Sequence, residues 1–296
     1  MKSLAHRAGS IAIIGRPNVG KSTLLNRMVG MKISITSNRP QTTRHRLNAF
    51  VTEPDAQMIL VDTPGFQTRH AGSLNRLMNR TVTRSLDAVD AVLLVVEAMR
   101  FTSEDRKVVA LLPNRVPVIL VINKVDKLDD KAVLLPFLEQ MSKVFAFAEI
   151  VPVSAAKGTQ VSHLKKILKA YLPEGPPQHD EDEVTDRPER FLAAELVREK
   201  LFRLLGEELP YAATVMVEKF EVRGNIRHIH MAIVVDKPNH KAMVIGKDGA
   251  KLKQIGTQAR LDMEKLFGGK VFLELWVQIK SGWAETPKSL KNLGYE

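Results

Sequence analysis

Over the first 173 residues, hydrophobic positions fall into short unbroken runs, separated by longer stretches with apolar residues spaced as on one face of a helix. The runs lie at 11–14, 58–61, 91–96 and 118–122, and Ala91-Val92-Leu93-Leu94-Val95-Val96 is apolar throughout. A strand buried on both faces reads this way, whereas a half-exposed one alternates. Further strands are predicted at Leu47–Glu53 and about 149–153, the former joined to the run at 57–62 by the turn residues Pro54-Asp55. Helices are predicted at 73–85, 103–112, about 131–145 and 161–172, with Ser103 ahead of Glu104-Asp105 reading as an N-cap followed by acids. This alternation predicts an α/β domain over 1–173, a mostly parallel six-stranded sheet with helices on both faces.

Beyond 173 the pattern changes. Residues 174–189 are Pro-rich, then acidic, with nothing to bury, and read as a linker: a solvated spacer or a contact for a basic body. A helical stretch at 190–205 follows, then β-rich runs at 214–222 and Ile226–Val235 joined around Arg223-Gly224-Asn225. Next come Ile245-Gly246-Lys247-Asp248-Gly249, a basic helix and a last strand at Lys270–Ile279, giving a smaller α+β domain over 190–296 with a C-terminal tail. Strand alternation places Trp276 in its core.

Three strand ends carry chemistry. Gly15-Arg16-Pro17-Asn18-Val19-Gly20-Lys21-Ser22 fits G-x-x-x-x-G-K-[ST] between a β-prone run and the helix-compatible stretch that opens at Thr23. Such a turn aims successive N–H groups into one concavity at a helix N-terminus, which suits phosphate, with Lys21 reaching the β- and γ-phosphates and Ser22 a Mg²⁺. Asp62-Thr63-Pro64-Gly65 offers a carboxylate for the water shell of that ion and a glycine N–H for the γ-phosphate. Asn123-Lys124-Val125-Asp126 offers a carboxylate that can accept from the N1–H and N2–H₂ edge of guanine, which adenine lacks. Phosphate, γ-phosphate sensor and base reader in that order fit a nucleotide site at the carboxyl edge of a parallel sheet. In the second domain, G-x-x-G leaves bare backbone for about four nucleotides of single-stranded nucleic acid. Lys247, Lys251 and Lys253 offset phosphate charge, Asp248 partly cancels Lys247, and Ile245 with neighbouring apolar residues underlies the bases.

With Gln41-Thr42-Thr43-Arg44 between the first two motifs and Ser154-Ala155-Ala156-Lys157 after the third, the chain resembles the translation-factor-like GTPases and, among them, the bacterial Era family. The likeness extends to the C-terminal third, whose α-β-β-α-α-β order with G-x-x-G resembles a KH domain of prokaryotic (type II) topology. The resemblance implies a P-loop GTPase domain followed by that KH domain, with GTP held by 15–23, 62–66, 123–126, Ser154 and Ala155. It assigns Thr43, with Thr42 the alternative, to the Mg²⁺ shell beside Ser22 and Asp62. Lys21, Thr43 and Gly65 then carry the transition-state and switch roles, and the Ala155 N–H meets guanine O6. The segments 33–46 and 66–72 become the two switches. Where many GTPases place a water-orienting glutamine stands Phe66, so no general base is assigned and slow basal turnover is expected. Asn18 lies where related GTPases with a hydrophobic residue there hold K⁺. The implied function is a GTP-hydrolysing switch in small-subunit ribosome assembly that grips the 3′ end of the rRNA through its KH domain. The alternative is a GTP-gated RNA- or membrane-binding module in which hydrolysis is incidental. A third reading, an ATP-dependent RNA enzyme, is disfavoured by Asp126.

The net charge of +11 and pI near 9.8 add a polyanionic partner, nucleic acid or an acidic membrane surface. The cations concentrate before 173 and after 210, around an acidic middle. No apolar run is long enough for a membrane span, and Met1 to Arg7 lacks a signal-peptide core. The absence of cysteine excludes disulfides and thiolate chemistry, and fits a reducing compartment. A cytoplasmic monomer with an optional peripheral membrane contact is the resulting expectation. His228 and His230 share a strand face, with no carboxylate or cysteine companion in the sequence to suggest a metal.

Overall fold

The computed structural model describes residues 6–68, 72–206, 208–285 and 287–295, so the start of the chain and part of the expected second switch lie outside the described residues. Contacts divide the chain into two units.

In the first, β1 (Arg7–Ile14), β2 (Leu47–Glu53), β3 (Ala56–Asp62), β4 (Ala91–Glu97), β5 (Val118–Asn123) and β6 (Glu149–Pro152) form one sheet in the order β2-β3-β1-β4-β5-β6. Only the β2–β3 hairpin is antiparallel. The helices are α1 (Lys21–Val29), α2 (Ser73–Ser85, whose residues up to Leu77 group with the second unit), α3 (Ser103–Val109), α4 (Leu134–Ser142) and α5 (Val161–Ala170). Val82, Leu86, Val108, Phe137 and Met141 pack with β1, β4 and β5 residues on one sheet face. The unbroken runs are strands buried on both sides, as their composition requires.

Register positions the site. Ile13 of β1 lies opposite Asp62 of β3, and Glu97 of β4 opposite Asn123 of β5. The ends of β1, β3 and β5 thus open onto one edge. The α3 cap differs from expectation: Thr102, extended at φ −114°, is the N-cap, and Asp105 accepts from its N–H and hydroxyl. Asp105 belongs to a capping box that begins one residue earlier than expected.

The acidic side chains of 180–182 are exposed, as a solvated spacer requires, but the segment around them is tied to the sheet. Gln57 of β3 accepts the N–H groups of Gln178 and His179 at 2.7 and 3.0 Å and donates to His179 O at 2.8 Å. Farther on, Phe50 N–H donates to Val184 O at 3.0 Å, Ala49 pairs with Thr185, and the His179 ring stacks on Phe50. The segment is a strap along the outer edge of β2, a place where an unpaired strand needs cover.

The second unit holds α6 (Glu189–Leu204), β7 (Ala213–Arg223), β8 (Ile226–Val235), α7 (Pro238–Ile245), α8 (Ala250–Phe267), β9 (Lys270–Ile279) and the short α9 (Pro287–Asn292). The sheet runs β7-β8-β9, antiparallel then parallel, with a bulge between Val217 and Lys219. Its core joins Ala193, Val197 and Leu201 of α6 with Ile255, Ala259 and Met263 of α8 and alternate β8 residues. Alternation along β9 puts Val271 and Val277 inside, so Trp276 faces the other way and is only half-buried. Trp283 is the buried tryptophan, donating from Nε1 to Ala212 O and stacking on Tyr295. Residues 35–42 also group with this unit: Thr36 donates through its N–H and hydroxyl to the fully buried Glu199.

Candidate nucleotide site and KH groove

The turn after β1 is built on glycine where nothing larger fits. Gly15 has φ +152° and a Cβ there would lie 2.4 Å from Val95 O; Gly20 has φ +102° and its Cβ would lie 2.2 Å from Asn123 Nδ2. At Gly65 a Cβ would come within 2.8 Å of the Pro17 backbone, which brings the second loop against the first. Asn18 takes a left-handed φ of 66° inside the turn. Thr63 donates its hydroxyl to Ile13 O, while Val19 and Pro64 are buried.

Lys21 opens α1, is buried, and donates to the carbonyls of Gly15 and Arg16 at 2.9 Å each. Burial pushes its ammonium down to about 8, against the attraction of Asp62. Four oxygen side chains gather beside it. Ser22 Oγ lies 3.0 Å from Asp62 Oδ2 and 2.9 Å from the Thr43 hydroxyl, and Ser34 Oγ donates to the same carboxylate oxygen at 2.7 Å. Thr42 instead turns its hydroxyl to Arg39 O. Burial raises the Asp62 carboxyl, opposed by Ser34, Lys21 and Ser22, and its Oδ1 is buried without a hydrogen-bond partner. An orphaned carboxylate oxygen beside two hydroxyls suits a hard divalent cation that takes its other ligands from water and phosphate. Among the described residues no cluster of three or more His, Asp or Glu offers an all-protein cage.

Asn123 ties the loops together. Its Nδ2 donates to Val19 O at 2.8 Å and its Oδ1 accepts the Ala155 N–H at 3.0 Å. The Ala155 N–H is therefore engaged by Asn123. Ser154 Oγ donates to Asp126 Oδ1 at 2.5 Å, bracing that carboxylate, and Val125 N–H donates to Val153 O. Phe66 is part-buried and packs against the core cluster of this unit.

Several supports lie outside the motifs. Arg16 sends its guanidinium to Asp105 at 3.0 Å and Glu97 at 3.1 Å, and Lys124 reaches the second oxygen of Glu97 at 3.0 Å. Burial works to raise the Glu97 carboxyl, but hydrogen bonds from Lys124 and Arg16 hold it below its usual range. Arg27 donates to Ala155 O, and Asn26 holds the backbone of Ile33 and Ser34. Glu97 ends an apolar strand and Asp105 sits in a capping box; these were the available signals.

In the second unit Gly246 has φ +73°, Asp248 +51° and Gly249 +75°. A Cβ on Gly246 would strike the Lys251 side chain at 2.7 Å, whereas one on Gly249 meets open space. Glycine at 249 thus answers to backbone conformation and not to crowding. Lys247 and Asp248 are exposed on the turn, and Lys251 Nζ stands 3.5 Å from Gln254 Oε1. A groove runs from Gly249 along Leu252, Lys253, Gly256, Thr257 and Arg260, floored by Leu273 and Leu275 of β9. Ile245 packs against the core instead of lining this groove, so the apolar floor comes from β9 and Leu252, and Arg260 is an additional cation at its far end.

A family model described as 50S ribosome-binding GTPase matches residues 10–124, and one for the KH domain matches 208–284. GTPase Era of Nitrosomonas eutropha is 56% identical over 296 residues, covering 100% of both chains, and GTPase Era of Chromobacterium violaceum is 54% identical over the same span. Among solved structures, a variant of Aquifex aeolicus Era bound to GDP and AlF4⁻ is 38% identical with a TM-score of 0.94, covering 98% of this chain and 99% of that one. Era in complex with MgGDPNP and nucleotides 1506–1542 of 16S ribosomal RNA is 39% identical with a TM-score of 0.94 and the same coverage. With its phosphate loop, base-reading loop and KH fold all in place, this chain belongs to the Era family of GTPases.

Proposed function

We propose that this protein hydrolyses GTP as a switch, grips the single-stranded 3′ end of small-subunit rRNA through its KH groove, and acts in assembly of that subunit. The observation that carries the reading is the meeting of Ser22, Thr43 and Asp62 beside the phosphate loop, on the sheet edge where Asp126 also stands. The N–H groups of the turn and the N-terminus of α1 receive the phosphates, and Lys21 exchanges the Gly15 and Arg16 carbonyls for phosphate oxygens. Ser22 and Thr43, with Asp62 through water, would hold Mg²⁺, which supplies charge neutralisation on the phosphates when bound. Gly65 offers its N–H to the γ-phosphate, and loss of that phosphate frees the loop. Asp126, braced by Ser154, accepts from the guanine edge.

Phe66 has no group to orient water and packs in the core, so basal turnover is slow. K⁺ held near Asn18 would supply the missing positive charge, as an arginine finger does elsewhere. Hydrolysis is expected to run faster in K⁺ than in Na⁺, and equal rates in the two salts would remove the cation from the mechanism. The RNA complex of the related Era structure supports the KH half of the reading.

Multiple-turnover GTP hydrolysis with and without small ribosomal subunits tests the whole. Stimulation by the subunit is expected. Unstimulated hydrolysis, combined with RNA binding that still depends on GTP, would favour the gated binding module. A cytoplasmic monomer touching acidic membrane surfaces belongs to the same proposal, and no described helix is long and apolar enough to cross a membrane. Sedimentation with anionic vesicles and light scattering decide the membrane contact and the monomer.

A further inference from the structure

The helices of the second unit cover one face of its sheet; on the opposite face Ala232 and Val234 are buried, but toward the start of β8 an exposed ring, Phe272, stands beside two part-buried histidines. Register places Phe272 of β9 beside His228 of β8 and Glu221 of β7, with His230 beside Glu274 and Ile226 beside Lys270. The Phe272 ring is 50% exposed, with ring centroids 5.3 Å from His228 and 6.2 Å from His230. A single exposed apolar side chain needs no account, but a phenylalanine between two imidazoles on a sheet is the form in which bases are stacked.

We propose that this face is a second RNA contact, on which Phe272 stacks a base of the strand that leaves the G-x-x-G groove. The inference rests on the KH reading above. Two observations choose the occupant. The first is continuity with the groove: β9 is the edge strand, and it floors the groove with Leu273 and Leu275 while presenting Phe272 on its other side. Arg260 at the far end of the groove pairs with Glu264, which also accepts the Val271 N–H, so the groove ends beside the first residues of β9. A strand passing Arg260 has only to turn around this edge to reach Phe272.

The second observation is charge. Lys219, Arg223 and Lys270 share the face with Glu221 and Glu274. Glu221 is held by both Lys219 and Arg223, and Glu274 by His230. Cations outnumber carboxylates, and Lys270 stands nearest the groove exit, as a phosphate backbone requires. Stacking is tolerant of sequence because every base has a π-face, so this contact adds affinity and reach more than sequence readout.

Binding of small-subunit 3′-terminal RNA oligonucleotides of four and about ten nucleotides tests this, since the groove alone holds about four. Phe272→Ala is expected to weaken the longer RNA about tenfold and leave the shorter unchanged, while Phe272→Tyr retains both affinities. A 2-aminopurine placed just beyond the groove nucleotides is expected to be quenched in the wild type and not in Phe272→Ala. Phe272 is half in water, so a thermal unfolding curve matching the wild type is expected of the variants. Unchanged binding of the longer RNA by Phe272→Ala overturns the proposal and leaves the face to a protein partner. Equal weakening of both lengths also overturns it, because Phe272 would then act through the groove. Failure of the wild type to bind either RNA would sink the KH reading itself, and this inference with it.

Discussion

Lys21 shows how much a single side chain is held in readiness. Burial lowers its ammonium to about 8 while Asp62 resists, so between about pH 8 and 10.5 the folded protein binds fewer protons there than the unfolded chain. The sign follows: burial of the charged lysine costs stability below pH 8, and the cost is relieved as pH rises toward 10.5. Nucleotide reverses the shift, because phosphates beside the ammonium favour its charged form. GDP binding near pH 8.5 should therefore take up a substantial fraction of one proton, read as a dependence of calorimetric enthalpy on buffer ionisation heat. No proton uptake in the wild type, or the same uptake in Lys21→Ala, would contradict this placement. At this scale the motif residues were legible, because phosphate and guanine demand particular groups at particular spacings behind a strand. Ser34, Glu97 and Asp105 were not, since each acts through a partner distant in sequence: Asp62, Arg16 with Lys124, and Arg16. Thr43 and Thr42 differ in the direction of the hydroxyl, toward Ser22 in one and toward the Arg39 carbonyl in the other, which sequence does not specify.

Elements differ in how openly their sequences declare them. β4 and β5 were readable from composition alone, since only a strand covered on both faces has use for so unbroken an apolar run. The strap over β2 was unreadable, because its backbone groups and its His179, Thr185 and Asp186 side chains all find partners more than a hundred residues back in the sequence, at Gln57, Asn48 and Phe50. Gln57→Leu removes three hydrogen bonds from that strap and is expected to cost about 2–3 kcal/mol, lowering the melting temperature by about 5 °C. An unchanged melting curve would mean that the segment adheres without this anchor. The G-x-x-G turn is the second case. Gly249 sits at φ +75° in open space, so an aspartate there brings backbone strain and a carboxylate beside Asp248. Gly249→Asp is expected to abolish RNA binding in a filter assay while GDP affinity stays as in the wild type. RNA bound as tightly as before, by a mutant that still unfolds cooperatively, would remove the turn from the interface.

At the scale of the whole molecule, two units with separate cores carry two chemistries. One reads a nucleotide at the carboxyl edge of a parallel sheet, and the other offers a basic groove against an edge strand. The order of elements in each was legible because every motif fell on a strand end or helix start where its chemistry works. The grouping of residues 35–42 with the second unit was not, since it depends on Thr36 meeting the buried Glu199 far along the chain. We infer that the first unit, a GTPase domain, selects its guanine nucleotide through Asp126. The most direct measurement is turnover of GTP and of xanthosine triphosphate by the wild type and by Asp126→Asn. Guanine offers N2–H₂ donors where xanthine offers an oxygen, and sites built on such bonds discriminate by as much as about 10⁴. The wild type should prefer GTP and the variant xanthosine triphosphate. Undiminished GTP turnover in Asp126→Asn would contradict the account.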